Sequence, residues 1–329
     1  MGRQSLTDPS LPNKLAAGAR EEIAPCISCL QRCLGYLFDP EELEISCLVN
    51  PFCGREGEMK IYPAENQKEI IVAGGGPAGL EAAWIAASRG HKVSLYEREE
   101  EVGGQLKAGA MGPNKQEFIK AIKYYRTMLE KYNVDLHLNQ ELNKEKILEK
   151  EPDCIIIATG SRPLYPDIEG LKNHPEVISA VDILEGKAAA GSSVLIVGGG
   201  QTGTETADYL GGMGRNVTIV EMLSDIARDV EAPIRHFLID RLESYGTDIY
   251  TNCKVKKFID DGVIAELDGE EIKIAGFETI VLALGVESVN HLKSELENTG
   301  REIYVIGDAR EPGRAGKAIE EGARLGIKI

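Results

Sequence analysis

The sequence predicts an α/β protein with two Rossmann-like nucleotide-binding domains, one inserted in the other, preceded by a small cysteine-rich segment. One glycine-rich fingerprint occurs twice, 124 residues apart. Five of the seven cysteines lie within the first 53 residues. From Glu69 onward, short apolar runs alternate with helix-like stretches, which indicates a parallel sheet.

The repeated fingerprint carries the fold prediction. Its copies read IIVAGGGPAGLEAAWIAASRGHKVSLYE (70–97) and VLIVGGGQTGTETADYLGGMGRNVTIVE (194–221). The first glycine permits a tight turn, the second admits a pyrophosphate to the backbone, and the third lets the helix pack on the strand. The helix N-terminus then offers free N–H groups to the phosphates. The equivalent residues are Gly74/Gly198, Gly76/Gly200, Gly79/Gly203 and Glu97/Glu221.

The acidic residue that ends each copy predicts which nucleotide binds. Glu97 and Glu221 follow the second strand of their copies, where a carboxylate accepts hydrogen bonds from ribose hydroxyls. Glu221 would repel a 2′-phosphate, and Met222-Leu223 after it supplies no cation. The second site is therefore expected to prefer NADH over NADPH, and two such sites in one chain indicate electron transfer between dinucleotides.

Composition excludes several classes of partner. The net charge of -16 argues against nucleic acid and anionic membrane surfaces. No apolar run is long enough to span a bilayer, and the N-terminus lacks the apolar core of a signal peptide. A cytoplasmic location is expected, with a homo-oligomer as an open alternative to a monomer.

The clustered cysteines predict a metal or cluster site. Cys26, Cys29, Cys33 and Cys47 follow the spacing C-x2-C-x3-C-x13-C, with Cys53 beyond them. This spacing is too compact for a simple disulfide set, so thiolate ligation of zinc or of an iron–sulfur cluster is expected. Three cysteines in one turn plus a distant fourth favour the cluster over two zinc knuckles.

Turn signals and strand ends divide the chain into three parts. Residues 1–65 would hold the cysteine segment and a linker. Residues 66–170, completed by residues 288–329, would form the first nucleotide-binding domain, and residues 171–287 the second.

At this point the motifs resemble a known family. The stretches MGRQSLTDPSLPNKL, CISCLQRC, SCLVNP, GGGPAG, EVGGQL, ATGSRP and VIGDA are similar to part of the 2,4-dienoyl-CoA reductase and trimethylamine dehydrogenase group of flavoenzymes. In that group an old-yellow-enzyme-like barrel with FMN precedes a 4Fe-4S cluster and a module with two dinucleotide sites. Most of the barrel is missing here, so the chain resembles a fragment that would need an FMN-binding barrel domain or subunit.

The resemblance assigns cofactors to residues. FAD would lie at the first fingerprint, NAD(H) at the second, a 4Fe-4S cluster on Cys26, Cys29, Cys33 and Cys47, and FMN only in the missing barrel. Gly2 and Arg3 would belong to a late barrel loop at the FMN phosphate. The expected FAD-site residues are Gly74, Gly76, Pro77, Ala78, Gly79, Glu97, Arg98, Gly104, Gln105, Ala158, Thr159, Gly160, Gly307 and Asp308. The expected NAD(H)-site residues are Gly198, Gly200, Gln201, Thr202, Gly203, Glu221 and Gly285.

Three functions compete at this stage. The first is an electron-input module that takes electrons from NADH through FAD and the cluster to FMN, which would reduce an activated C=C bond. Hydride transfer needs no side-chain acid or base, so no catalytic residue is predicted. The second is a non-catalytic scaffold with ADP in the first site. The third, a disulfide reductase of the thioredoxin-reductase type, lacks its paired dithiol, because Cys154 and Cys253 are isolated.

Overall fold

The computed structural model describes residues 2–38, 45–172 and 174–329. The chain forms two compact units. Unit 1 comprises Met1–Ala110, Glu117–Arg162 and Glu287–Ile329, and unit 2 comprises Met111–Gln116 and Pro163–Val286. The chain thus leaves the first unit and later returns to it.

The elements follow one another in this order along the described residues. The helices are α1 (Gly2–Thr7), α2 (Leu11–Ala16), α3 (Pro77–Ser88), α4 (Gln105–Met111), α5 (Phe118–Lys131), α6 (Lys144–Leu148), α7 (Ala180–Leu184), α8 (Gln201–Gly212), α9 (Ala232–Ser244), α10 (His291–Leu296) and α11 (Ala315–Lys328). The strands are β1 (Glu69–Ala73), β2 (Lys92–Tyr96), β3 (Asp135–His137), β4 (Cys154–Ile157), β5 (Ser161–Pro163), β6 (Val177–Ser179), β7 (Ser193–Val197), β8 (Asn216–Val220), β9 (Asp248–Tyr250), β10 (Cys253–Ile259), β11 (Gly262–Leu267), β12 (Glu270–Ala275), β13 (Thr279–Leu282), β14 (Val286–Ser288) and β15 (Glu302–Val305). Short 3-10 or π turns cover Arg20–Glu22, Gln31–Gly35, Tyr36–Phe38 and Gly307–Ala309.

Unit 1 is built on a five-stranded parallel sheet in the order β15-β4-β1-β2-β3. Ile71 is in register with Ser94 on one side and with Ile155 on the other. All four residues of β4 are buried, as expected for the apolar run of a parallel strand covered on both faces. The predicted α/β class with Rossmann-like topology is confirmed for this unit.

Unit 2 repeats that arrangement. Its parallel sheet has the order β6-β13-β7-β8-β9, with β7 between β13 and β8 as β1 lies between β4 and β2. The sequence duplication therefore extends to strand order. Along the chain, a separate antiparallel sheet of β10, β11 and β12 follows β9 and precedes β13. This sheet was not predicted from the sequence. Strands β5 and β14 form a further two-stranded sheet.

Hydrogen bonds to Asp8 hold the start of the cysteine segment together. Asp8, which is 4% exposed, accepts from the backbone N–H groups of Ser10 and Ala24 and from Lys14 Nζ. Gly2 and Arg3 begin α1 instead of lying in a loop, and the last residue of this helix, Thr7, donates its hydroxyl to the carbonyl of Arg3. Their role at an FMN phosphate stays a prediction. Among the described residues, no helix is both long enough and apolar enough to cross a membrane.

Candidate functional site

The first fingerprint forms a turn that only glycine fits at two of its positions. Gly74 has φ +111°, and a Cβ there would lie 2.2 Å from the carbonyl oxygen of Ala158. A Cβ on Gly79 would lie 2.0 Å from the carbonyl oxygen of Gly74. A Cβ on Gly76 would meet no atom within 4 Å. The turn therefore needs its first and third glycines for packing, and the second leaves the backbone open to a phosphate.

Glu97 stabilises this turn. The side chain is 7% exposed, and its Oε2 accepts from Gly75 N at 2.7 Å while its Oε1 accepts from Glu99 N at 2.9 Å. The carboxylate thus joins the end of β2 to the glycine-rich turn at the carboxyl edge of the sheet, where dinucleotides bind in this topology. Arg98 is exposed and its Nε lies 3.6 Å from Glu99 Oε1.

Three segments of unit 1 meet at Asp308. Its Oδ2 accepts from Gln105 Nε2 at 3.0 Å and from Ser161 Oγ at 2.9 Å, and its Oδ1 accepts from Gly313 N at 3.1 Å. Gly104, with φ +50°, lies so close to the fingerprint that a Cβ would be 3.0 Å from Gly76 Cα. The structure therefore brings the predicted Gln105 and Asp308 together, and it places the predicted Gly104 beside the second glycine of the turn.

The other predicted residues of this site lie around the same turn. Pro77 begins α3, and a Cβ on Gly307 would lie 2.9 Å from Ala78 Cβ. The Thr159 hydroxyl donates to the carbonyl of Val289. Gly160 has φ +75°, and its carbonyl accepts from the N–H of the same valine at 2.9 Å.

Unit 2 repeats the turn with the same steric constraints. Gly198 has φ +107°, and its Cβ would lie 2.4 Å from the carbonyl oxygen of Ala283. A Cβ on Gly203 would lie 1.9 Å from the carbonyl oxygen of Gly198. Glu221 is 8% exposed and accepts from Gly199 N at 2.6 Å. The two fingerprints are therefore equivalent in backbone geometry.

The predicted residues that follow these glycines begin α8. Thr202 lies in its first turn, and Gln201 donates its backbone N–H to Asp229 Oδ1 at 2.8 Å. Gly285, with φ +89°, follows β13, and its carbonyl accepts from Leu164 N at 3.0 Å. The acidic partner of α8 was not predicted from the sequence.

The four cysteines predicted as ligands line one small cavity of unit 1. Arg3 and Thr7 also line this cavity. Ser28 and Leu30, which lie between the first three cysteines in the chain, adopt left-handed backbone conformations. The Thr7 hydroxyl is 3.5 Å from Cys47 Sγ. In the part of the chain that the structure describes, no group of three or more His, Cys, Asp or Glu side chains is arranged to hold a metal ion. The cysteine positions that share the cavity are Cys26, Cys29, Cys33 and Cys47.

Burial disfavours free thiolates at two of the cavity cysteines. It raises the pKa of Cys29 to about 12 and also raises the pKa of Cys33, with repulsion from neighbouring cysteines adding to both. Cys53 is buried nearby, and its pKa is raised to about 11 for the same reasons. Thiolates at these positions would need a cationic ligand, which is the chemistry that iron or zinc supplies.

Glu320 connects the cysteine segment to the helix that follows Asp308. Its Oε2 lies 2.9 Å from Arg32 Nη1 and 3.7 Å from Arg55 Nη2. Arg55 Nη1 also donates to Ser46 Oγ, so residues next to two of the cavity cysteines are joined to one carboxylate. A Cβ on Gly316 would lie 2.7 Å from Arg32 Nε, so α11 approaches this arginine closely.

Comparison with known proteins identifies the family. The model of the pyridine nucleotide-disulphide oxidoreductases matches residues 68–322. The chain belongs to this family. Membership of this family supports FAD and NAD(H) as cofactors of the chain.

Several relatives match all or nearly all of the chain. It is 38% identical to an NADH oxidase of Thermoanaerobacter brockii, covering 100% of this chain and 51% of the relative. It is 37% identical to a cinnamate reductase of Clostridium sporogenes, and the match covers 94% of this chain and 46% of the relative. A solved complex of 2-naphthoyl-CoA reductase with 2-naphthoyl-CoA aligns with a TM-score of 0.94 at 33% identity, covering 99% and 50%. The chain thus spans about half the length of these relatives, and the resemblance to the dienoyl-CoA reductase group is confirmed.

Sequence reasoning missed residues that act over long distances in the chain. Ser161 lies within the quoted stretch ATGSRP, so its motif was available although its contact with Asp308 was not. Asp229 and Glu320 belong to no motif. Their partners are 28 and 288 residues away, which no local pattern encodes.

Proposed function

We propose that this chain is the electron-input part of an iron–sulfur flavoprotein oxidoreductase. NADH would be the donor, FAD and a 4Fe-4S cluster the carriers, and an FMN-containing barrel the acceptor, which would reduce an activated C=C bond such as that of an enoate or a dienoyl-CoA. FAD supplies the step from two-electron to one-electron transfer when it is bound. The protein binds, orients and electrostatically adjusts these groups.

The observation that carries the proposal is the composition of unit 1. A dinucleotide turn, the Gln105–Ser161–Asp308 group and the four-cysteine cavity belong to one compact unit. Gly76 leaves its backbone open for the FAD pyrophosphate, and the Ser161 hydroxyl and the Asp308 carboxylate would supply polar partners for the flavin end. Residues 66–170 with 288–329 would form the FAD domain, and residues 171–287 the NAD(H) domain.

The cysteine cavity is the proposed cluster site. Four thiols around one cavity match the ligand count of a 4Fe-4S cluster. Cys47 lines this cavity, whereas Cys53 is absent from its described lining, which supports Cys47 as the fourth ligand. Arg32 also lines the cavity and would place a positive charge beside the cluster.

The donor is proposed to be NADH because of Glu221. Both carboxylate oxygens are held by backbone N–H groups, those of Gly199 and Leu223, so the charge is fixed at the end of β8. The adjacent Met222 and Leu223 are exposed and uncharged. A 2′-phosphate at this position would meet a fixed negative charge.

The barrel is proposed as a domain or subunit outside this chain. The cinnamate reductase relative, a protein named for reduction of a C=C-containing acid, is about twice as long as the match. An ADP-binding scaffold remains the alternative function. The disulfide-reductase alternative is disfavoured because Cys154 and Cys253 lie in strands of different units.

An anaerobic absorbance titration of the purified chain tests the proposal. A flavin band with a broad iron–sulfur shoulder, both bleached by NADH and less readily by NADPH, is the expected result. A cluster shoulder without flavin, unchanged by NADH, would refute electron input and support the scaffold. A preference for NADPH would overturn the assignment of Glu221.

A further inference from the structure

The hydrogen bonds of the two fingerprints extend the duplication beyond the sequence match. Glu97 accepts from Gly75 N, and its counterpart Glu221 accepts from Gly199 N. Past the glutamates, Gly103 N donates to the carbonyl of Gly75 at 2.8 Å. Ala227 N donates to the carbonyl of Gly199 at 2.7 Å, which is the same bond 124 residues later. The constant offset of 124 residues therefore continues past the glutamates, and it makes Gln105 of the first copy equivalent to Asp229 of the second.

These last two equivalent residues differ in charge and in what they contact. Gln105 donates its side-chain amide to Ser161 Oγ at 2.8 Å and to Asp308 Oδ2 at 3.0 Å. Asp229 turns its carboxylate onto the start of α8 and accepts the backbone N–H of Gln201 at 2.8 Å. The first residue of α3 is a proline, which has no N–H, so this donor exists only in the second copy.

The carboxylate lies where the second fingerprint opens to a ligand. An added Cβ on Gly76 meets no atom within 4 Å, whereas on Gly200 it would be 3.5 Å from Asp229 Oδ2 and 3.7 Å from Asp229 Oδ1. The second glycine of such a turn is the one that a pyrophosphate approaches. In unit 2 that approach is occupied by a negatively charged side chain of the protein itself.

We propose that Asp229 is an anionic gate of the nicotinamide-dinucleotide site, which must leave the N-terminus of α8 before the pyrophosphate of the cofactor binds. The inference rests on the proposed function of this site. Asp229 is exposed, so its side chain has room to turn outward. The gate weakens binding twice, because the cofactor must replace an existing hydrogen bond and approach a like charge.

Binding of ADP-ribose and NAD⁺ to the flavin-loaded full chain, measured by calorimetry, tests the gate. Neither probe reduces oxidised FAD, so binding is read without turnover. Asp229→Asn keeps the shape and removes the charge, and Asp229→Gln restores the residue of the first copy. Asp268→Asn is the matched control, since it removes one exposed negative charge at the β11–β12 turn, where Asn-Gly is as suitable as Asp-Gly.

Both Asp229 variants are expected to bind both probes about tenfold more tightly than the wild type. This difference in affinity should become smaller at higher salt, because salt screens the charge of Asp229. Asp268→Asn is expected to match the wild type. Equal affinities of wild type and Asp229 variants would refute the gate and leave the dinucleotide site standing. No binding by any of the proteins would refute the site itself, and the gate with it.

Discussion

Replacing the buried Glu81 by glutamine should remove a pH dependence from the stability of unit 1. Glu81 lies on α3, is 1% exposed, and accepts a hydrogen bond from Trp84 Nε1 at 3.1 Å. A Cβ on Gly322 of α11 would lie 3.0 Å from Glu81 Cβ, so the carboxyl is enclosed between two closely packed helices. Burial raises its pKa to about 8, and the hydrogen bond from Trp84 opposes this rise only in part.

The sign and size of the effect follow from proton linkage. Between the ordinary pKa of 4.5 and the folded value of about 8, the folded protein keeps a proton that the unfolded chain releases. The free energy of unfolding therefore falls as pH rises through this window, by about 1.4 kcal/mol per pH unit. From pH 5 to pH 7 the loss from this one group is roughly 2–3 kcal/mol.

Chemical denaturation of wild type and Glu81→Gln from pH 5 to pH 9 measures this loss. The two proteins should be of similar stability at pH 5, and the variant should become progressively the more stable up to pH 8. Glu130→Gln, an exposed change on α5 of the same unit, should follow the wild type at every pH. Parallel profiles for wild type and Glu81→Gln would show that the carboxyl does not carry a raised pKa, and would refute the reasoning.

Other predictions concern the fingerprint, the cysteines and the ion pairs. Gly79→Ala should destabilise unit 1 and prevent FAD binding, because the new Cβ would lie 2.0 Å from the carbonyl oxygen of Gly74. Gly76→Ala should fold normally, and calorimetry should show that it binds FAD about 2 kcal/mol more weakly. Cys47→Ser should lose iron and the iron–sulfur absorbance after anaerobic reconstitution, and Cys53→Ser should retain both. Glu320→Gln should lower the free energy of unfolding by about 2 kcal/mol, since it leaves the partly buried Arg32 and Arg55 without a counter-charge; an unchanged denaturation midpoint would contradict this.

Much of the fold could be predicted because its requirements are local. Gly79 is required by the carbonyl oxygen of Gly74, five residues earlier, and Gly74 is favoured by its own positive φ, so the fingerprint appears directly in the sequence. The antiparallel sheet of unit 2 was missed although its signals were present. Asp268-Gly269 is a hairpin turn with both φ angles positive, and it joins strands with alternating burial. The alternation of strands and helices that predicts a parallel sheet does not include such a hairpin.

The cysteine segment shows the opposite case. Its spacing predicted a shared site, and the structure places all four predicted ligands around one cavity. The segment has little periodic hydrophobicity, so nothing local indicated how it is anchored. The buried Asp8 holds the start of the segment together, and Glu320, nearly three hundred residues later, joins the segment to α11.

The sequence by itself determined the two dinucleotide turns, the α/β class and the four clustered cysteines, because a positive φ at glycine, strand apolarity and thiol spacing are properties of short stretches of the chain. Only the tertiary structure decided which polar groups complete each site. Ser161 and Gln105 reach Asp308, and Asp229 occupies the start of α8, because the parallel sheets bring distant strand ends to one edge. The two copies have the same backbone, and they differ in the side chains that long-range folding places beside it.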